Sequence, residues 1–222
     1  MSRLFRCIAA AVLCVSVSAL PAHAQITVHT TLASWLAAVT GAGLDTFDDL
    51  DVSEGFYASP LNRSAGAFDY QVRADFDLFP SGTAGDPWVS NLFIEDALVV
   101  DGFSPSAYGV AGEFFLSGEF GELVNAGAFT LTVEDALGSF SQTIDVAQAT
   151  SSFLGFTSAS GITSLSLQAI DASEQNPIFS TINNIRIGGA PVSAVPEPVS
   201  LALLAIGGLG LAGVTRRRSR AR

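Results

Sequence analysis

Hydrophobic and polar residues alternate regularly along a stretch in the first half of the chain. The apolar positions are Phe68, Tyr70, Val72, Ala74, Phe76 and Leu78, and the polar positions between them are Asp69, Gln71, Arg73, Asp75 and Asp77. Successive side chains of a β-strand point to opposite faces. The pattern therefore predicts one strand over residues 68–78, with one buried face and one acidic face in water.

Later segments are β-branched, aromatic or alternating, and Gly, Ser and Asp turns separate them, which is typical of consecutive strands. After a short strand at Ile26–Val28, we predict strands at Trp88–Ile94, Ala97–Asp101, Tyr108–Ser117, Ala128–Glu134, Ser139–Val146, Phe153–Thr157, Ile162–Ile170 and Ile178–Ile187.

One segment near the N-terminus has helical periodicity. Its apolar positions are Leu32, Trp35, Leu36 and Val39, which recur at the spacing of one helix face. Thr31 is a candidate N-cap and Gly41 a candidate stop. We expect a short amphipathic helix over residues 31–40.

Many strands and one helix indicate the fold class. Parallel sheets need crossover connections, and the chain has no second helical period to supply them. We therefore expect an all-β domain over residues 25–190, an antiparallel β-sandwich of the jelly-roll type with one short N-terminal helix. A barrel and an irregular β-helix remain alternatives.

The first 24 residues have the pattern of a secretory signal peptide. Arg3 and Arg6 precede an apolar run over residues 7–20. The positions that a signal peptidase reads are Ala22 and Ala24, followed by Gln25. We expect signal peptidase to cleave after Ala24; the alternative is an uncleaved anchor, for which the apolar run is short.

The C-terminus has the opposite polarity. A linker over residues 191–198 ends in Pro196, Glu197 and Pro198, and an apolar stretch follows. We predict a marginal transmembrane helix over residues 199–215. A basic cytoplasmic tail over residues 216–222 would stop translocation at the inner membrane. Its charges are Arg216, Arg217, Arg218, Arg220 and Arg222.

The Pro-Glu-Pro motif, the short apolar helix and the Arg-rich terminus together resemble the PEP-CTERM sorting signal of exosortase substrates in Gram-negative bacteria. The resemblance implies that exosortase cuts near Pro196–Pro198. It also implies a host that makes extracellular polysaccharide, and delivery of the protein to the cell surface or the biofilm matrix. A plain single-span anchor without processing is the alternative.

Charge narrows the range of partners. Between residue 25 and Pro196 the chain has three Arg, no Lys and twenty Asp and Glu, a formal charge of −17. Nucleic acids are excluded as partners, because phosphate backbones are bound by clustered Lys and Arg. Cations, neutral glycans and basic surfaces are compatible with this charge.

An acidic segment after the predicted helix is the candidate metal site. It contains Asp45, Asp48, Asp49 and Asp51. Closely spaced carboxylates can converge on calcium, although the spacing lacks the Gly and the final Glu of an EF-hand loop. A solvated acidic loop without metal is the alternative, and no cofactor other than calcium is suggested.

Three aromatic residues are candidates for carbohydrate stacking, namely Trp88, Tyr57 and Tyr108. Each could instead belong to the core. The final strands weakly resemble those of lectin-like jelly rolls, in which a closing strand often carries Asp-Asn where this chain has Asn183-Asn184.

Catalysis has little support in the sequence. Both cysteines lie in the leader, and His29, the one histidine after Ala24, sits near the new N-terminus, so we expect no Ser-His-Asp or Cys-His arrangement. The adjacent pairs Glu95-Asp96 and Glu134-Asp135 point to opposite faces of a strand and cannot flank one glycosidic bond. We expect a non-catalytic surface or matrix protein; a calcium-assisted carbohydrate-binding module is the alternative.

Overall fold

A computed structural model describes residues 26–149, 152–170, 172–173 and 175–191. In chain order the elements are β1 (Thr27–His29), α1 (Leu32–Ala38), β2 (Thr40–Asp45), β3 (Leu61–Ala65), β4 (Phe68–Arg73), β5 (Leu78–Thr83), β6 (Asp86–Asn91), β7 (Leu98–Ser104), β8 (Ala107–Ser117), β9 (Leu123–Val124), β10 (Ala128–Asp135), β11 (Gly138–Asp145), β12 (Phe153–Ile170) and β13 (Phe179–Gly189).

All strand pairs are antiparallel, and they form two layers that share the long strand β12. Its first half pairs with β1 and β8, and its second half pairs with β7 and β10. One layer continues from β8 through β13 to β6 and β5, and the other continues from β7 to β4 and β3. Apolar side chains from both layers form one core. The predicted fold class is confirmed: the domain is an all-β, barrel-like sandwich with one helix.

The central layer is packed on both of its faces. Val110, Phe114 and Leu116 of β8 point into the sandwich core, while Ala111 points to the opposite face and packs against α1. Strand β13 is held between β8 on one side and β2 and β6 on the other. Side chains on the outer face of this layer are therefore held by strands that are fixed from both sides.

Helix α1 covers one end of that outer face. Thr31 caps it as predicted, since its Oγ1 accepts the backbone N–H of Ser34 at 3.2 Å. Trp35 is fully buried and donates its indole N–H to the carbonyl of Phe156 at 3.2 Å. Glycines make room for the ring: a Cβ on Gly155 would lie 2.5 Å from Trp35 Cδ1. The helix ends at Ala38, two residues before the predicted end.

Several predicted strand boundaries are wrong: the strand predicted at Trp88–Ile94 ends at Asn91, and the one predicted at Ala97–Asp101 continues to Ser104. The alternating strand ends at Arg73 rather than at residue 78, because the Ser59 side chain bonds both the N–H and the carbonyl of Ala74 and removes them from the ladder. Phe76, predicted to be buried, is 60% exposed. The two strands predicted at residues 153–157 and 162–170 are one 18-residue strand, which continues through Gly161 at φ +83°.

Candidate functional site

A pocket of about 330 Å³ opens where β6, β8 and β13 meet the β10–β11 hairpin. We call it the Trp88 pocket. Its polar lining includes Asp86, Glu113 and Asn183, and its apolar lining includes Trp88, Phe115 and Phe129. Small-molecule sites typically combine a mostly apolar concave surface of this size with a few placed polar groups. The pocket therefore has the size and the mixed lining of a small-molecule site.

Strand register brings the key side chains together. Thr181 of β13 pairs with Ser90 of β6 and with Phe115 of β8. Two residues further along, Asn183 pairs with Glu113, and both line the pocket together with Trp88. Residues two apart on a strand share a face, so the outer-face side chains line up across three adjacent strands.

Trp88 forms one wall of the pocket. Its ring meets that of Phe115 edge to face, with centroids 5.3 Å apart and an interplanar angle of 87°. The indole N–H is buried and has no hydrogen-bond partner among the described residues. An unpaired buried donor costs about 1–3 kcal/mol, and phenylalanine would fill the same wall without that cost. Trp88 therefore presents an aromatic surface to the pocket rather than its N–H donor.

A bulge in β13 positions the two carboxylates. Asn183 Nδ2 donates to Asp86 at 3.1 Å, and Asn184 Nδ2 donates to Glu113 at 3.2 Å. The ladder register shifts between Asn183 and Arg186, and Asn184 has a φ of +52°, a conformation that Asn tolerates better than most residues. This backbone geometry lets adjacent asparagines orient two different carboxylates.

Sequence reasoning found part of this pocket. Trp88 was a candidate stacking residue, and the Asn183-Asn184 pair was identified by its resemblance to a closing lectin strand. Asp86, Glu113 and Phe115 were not singled out, because nothing in their local sequence separates them from other strand residues. Their contribution depends on the order of β6, β13 and β8 in the sheet, which pairs distant segments.

The other two aromatic candidates lie elsewhere. Tyr57 forms an isolated bridge with Leu78, and its hydroxyl accepts the N–H of Asp51 at 2.8 Å. Tyr108 packs beside Trp35 under α1. Neither residue lines the Trp88 pocket.

The acidic segment is organised around Arg63. The guanidinium donates to Asp45 at 2.7 and 2.8 Å and to Asp49 at 2.6 and 2.8 Å. It also lies 5.1 Å from the centre of the Phe47 ring. Burial opposes its charge, but the hydrogen bonds and charges of both aspartates raise the pKa of Arg63. Conversely, the hydrogen bond and charge of Arg63 lower the pKa of Asp49.

The four candidate calcium ligands do not converge in this structure. Asp45 is buried, while Asp48, Asp49 and Asp51 are exposed, and Asp51 accepts hydrogen bonds from Ser53. In the described ranges, no three His, Cys, Asp or Glu side chains lie close enough together to hold a metal ion. Calcium binding by this segment stays a prediction.

His29 and Asp135, which the sequence argues against as catalytic groups, have hydrogen-bond partners within the fold. His29 Nε2 lies 3.0 Å from Thr157 Oγ1, and burial lowers the pKa of His29. Asp135 is buried and accepts a hydrogen bond from Ser158 at 2.6 Å, whereas Glu134 is exposed. Burial raises the pKa of Asp135, but hydrogen bonds from Ser158 and backbone N–H groups outweigh it and lower the pKa overall.

Several predicted features lie outside the described residues. They are the cleavage positions Ala22, Ala24 and Gln25, the Pro196-Glu197-Pro198 motif, the apolar segment 199–215 and the arginines that follow it. Within the described ranges no helix is long and apolar enough to span a membrane. The domain boundaries at residues 24 and 190 stay predictions.

Comparison with known families identifies the C-terminal segment. Residues 194–219 match the family model of the PEP-CTERM protein-sorting motif. The chain carries a PEP-CTERM sorting signal. The PEP-CTERM motif indicates an exported protein that is sorted to the cell envelope or surface, and it implies processing by exosortase.

The comparisons add little for the domain itself. Among solved structures, a mutant of the family 29 carbohydrate-binding module CBM29-2 aligns with a TM-score of 0.35 and 12% identity, covering 72% of this chain and 95% of that one. None of the curated proteins matches the sequence.

Proposed function

We propose that this chain is a non-catalytic surface or biofilm-matrix protein of a Gram-negative bacterium, and that its β-sandwich binds extracellular polysaccharide in the Trp88 pocket. The observation that carries the binding function is the convergence of an indole, two carboxylates and the Asn183 amide on one pocket, with Asn184 orienting one of the carboxylates. Aromatic rings pack against the apolar faces of sugars. Carboxylate and amide groups supply the acceptors and donors that sugar hydroxyls require.

The sorting steps of this proposal follow from both ends of the sequence. Signal peptidase removes residues 1–24, the segment 199–215 holds the precursor in the inner membrane, and exosortase cuts near Pro196–Pro198. The test is the intact mass of the protein released at the surface of its native host. A chain that begins at Gln25 and ends near Pro196 is expected, whereas a membrane-bound chain that still ends at Arg222 would contradict exosortase processing.

Carbohydrate binding is tested by replacing the pocket wall in the full-length chain. Trp88→Ala removes the ring and should weaken binding to extracellular polysaccharide from the host by about tenfold or more, as expected for a buried aromatic anchor. Phe120→Ala is the matched control, because Phe120 is 85% exposed and does not line the pocket. Urea unfolding of both variants verifies that they are folded. Equal losses in the two variants, or no binding by the parent chain, would refute the proposal.

Calcium and catalysis are tested on the same samples. A calcium ion in the acidic segment would have to displace Arg63 from Asp45 and Asp49, so we expect EDTA to leave binding unchanged. Two carboxylates in one pocket also occur in glycosidases. Incubation of the polysaccharide with the protein should release no new reducing ends, and their appearance would make the pocket an active site.

A further inference from the structure

The two carboxylates of the Trp88 pocket have no cationic partner in the described part of the chain. Asp86 and Glu113 each accept a hydrogen bond from a neutral asparagine amide. The ion pairs of the described residues join Arg63 to Asp45 and Asp49, and Arg73 to Asp101. The remaining arginine of the domain, Arg186, donates to the carbonyl of Asn184 and does not line the pocket.

A ligand in this pocket therefore meets uncompensated negative charge beside apolar walls. Asparagine amides orient the carboxylates but do not neutralise them. A charge pair interacts more strongly where aromatic groups replace water around it. A ligand that brings a positive charge would gain this attraction, and a ligand that brings only hydroxyls would not.

The aromatic wall favours the same kind of ligand. Cations are attracted to the faces of aromatic rings, most strongly to that of tryptophan. Trp88 and Phe115 line the pocket together with Glu113. An ammonium group attached to an otherwise apolar sugar face would satisfy the ring and the carboxylates together.

Size and composition argue against a bare metal ion. The pocket measures about 330 Å³, which is the scale of an organic ligand. In the part of the chain that the structure describes, no cluster of three metal-ligating side chains is present. The expected ligand is an organic group with one positive charge and several hydroxyls.

We infer that the Trp88 pocket selects glycans that carry a free amine over the same glycans in N-acetylated form. This inference rests on the proposed carbohydrate-binding function and names the sugar class. The amine, in its protonated form, lies between Asp86 and Glu113, and the sugar ring packs on Trp88. N-acetylation removes the charge and adds bulk at the same position, so it removes the basis of selection.

The test compares two oligosaccharides that differ only in acetylation. Isothermal titration of the full-length chain is carried out with a glucosamine hexamer and with an N-acetylglucosamine hexamer at the same salt concentration, in mildly acidic buffer that keeps the sugar amines protonated. We expect the amine form to bind at least about tenfold more tightly, which corresponds to about 1.4 kcal/mol. Equal affinity, or tighter binding of the acetylated form, would overturn the inference and leave carbohydrate binding intact. Failure of both hexamers and of host polysaccharide to bind would refute the proposed function itself.

Isosteric variants separate the pocket from the general charge of the domain. A chain with a charge of −17 between residue 25 and Pro196 attracts polycations nonspecifically. Asp86→Asn and Glu113→Gln each remove one pocket charge and should reduce the preference for the amine form to within about twofold. Glu54→Gln removes one exposed charge outside the pocket and should leave the preference unchanged. If Glu54→Gln has the same effect as the pocket variants, the selectivity does not arise in the pocket.

Discussion

At the scale of single residues, Arg63 forms the most buried ion pair among the described residues. Its side chain is 10% exposed, and that of Asp45 is 5% exposed. Tyr70 also donates its hydroxyl to Asp45 at 2.7 Å, and burial, together with the neighbouring carboxylate, raises the pKa of Tyr70. A buried carboxylate that loses its cation destabilises the fold, because its own charge stays buried and water cannot solvate it.

Arg63→Leu should therefore lower the free energy of unfolding by about 3–5 kcal/mol. Arg73→Leu is the matched control, since Arg73 is 45% exposed in its pair with Asp101 and such pairs contribute about 0–1 kcal/mol. Urea unfolding of the parent chain and both variants measures the difference. Losses below about 1 kcal/mol for Arg63→Leu would show that Asp45 finds other compensation.

At the scale of elements, the position of helix α1 depends on three glycines beneath it. A Cβ on Gly109 or Gly188 would lie 2.6 or 2.7 Å from Val39, as one on Gly155 would from Trp35 at 2.5 Å. These glycines belong to β8, β12 and β13. Glycines on three adjacent strands thus leave a flat surface on which Trp35 and Val39 pack.

Gly155→Ala should cost about 1–3 kcal/mol of stability, because the added methyl overpacks against Trp35. Gly138→Ala serves as control, since nothing lies within 4 Å of its added Cβ, and it should stay within about 0.5 kcal/mol of the parent. Thermal unfolding followed by tryptophan fluorescence reports on both. A Gly155→Ala variant as stable as the control would mean that the helix shifts freely over the sheet.

Local pattern predicted the elements better than it predicted their partners. The strands at residues 108–117 and 128–134 and the N-cap Thr31 follow directly from periodicity and capping chemistry. The strand Thr40–Asp45 was missed because Gly41 suggested a helix stop and the acidic residues after it suggested a loop. The pocket carboxylates Asp86 and Glu113 were missed because their meeting depends on long-range pairing through β13, which local sequence does not encode.

At the scale of the whole molecule, the composition leaves one side chain to control how the stability of the domain changes with pH near neutrality. After Ala24, His29 is the one side chain whose ordinary pKa lies between 5.5 and 7. Burial lowers the pKa of His29 in the folded state. The unfolded chain therefore binds a proton at higher pH than the folded chain does, and stability should fall as pH falls below the unfolded value of about 6.5.

The parent chain should lose stability between pH 7 and pH 5.5, with a slope of at most about 1.4 kcal/mol per pH unit. His29→Gln keeps a polar partner for Thr157 and should remove the slope. Chemical unfolding midpoints of both chains at several pH values provide the measurement. The same slope in His29→Gln would assign it to another group.

The placement of β13 also has a consequence for when the domain can fold. This strand, which ends at Gly189, pairs with β2, β6 and β8. Strand β1, at the start of the domain, pairs with β12 near Thr157. A growing chain cannot complete the layer that contains β8 and β13 until Gly189 has emerged, so β1 and β2 stay without their partner strands through most of synthesis. This topology delays completion of the fold until the last strand arrives, only a few residues before the sorting signal.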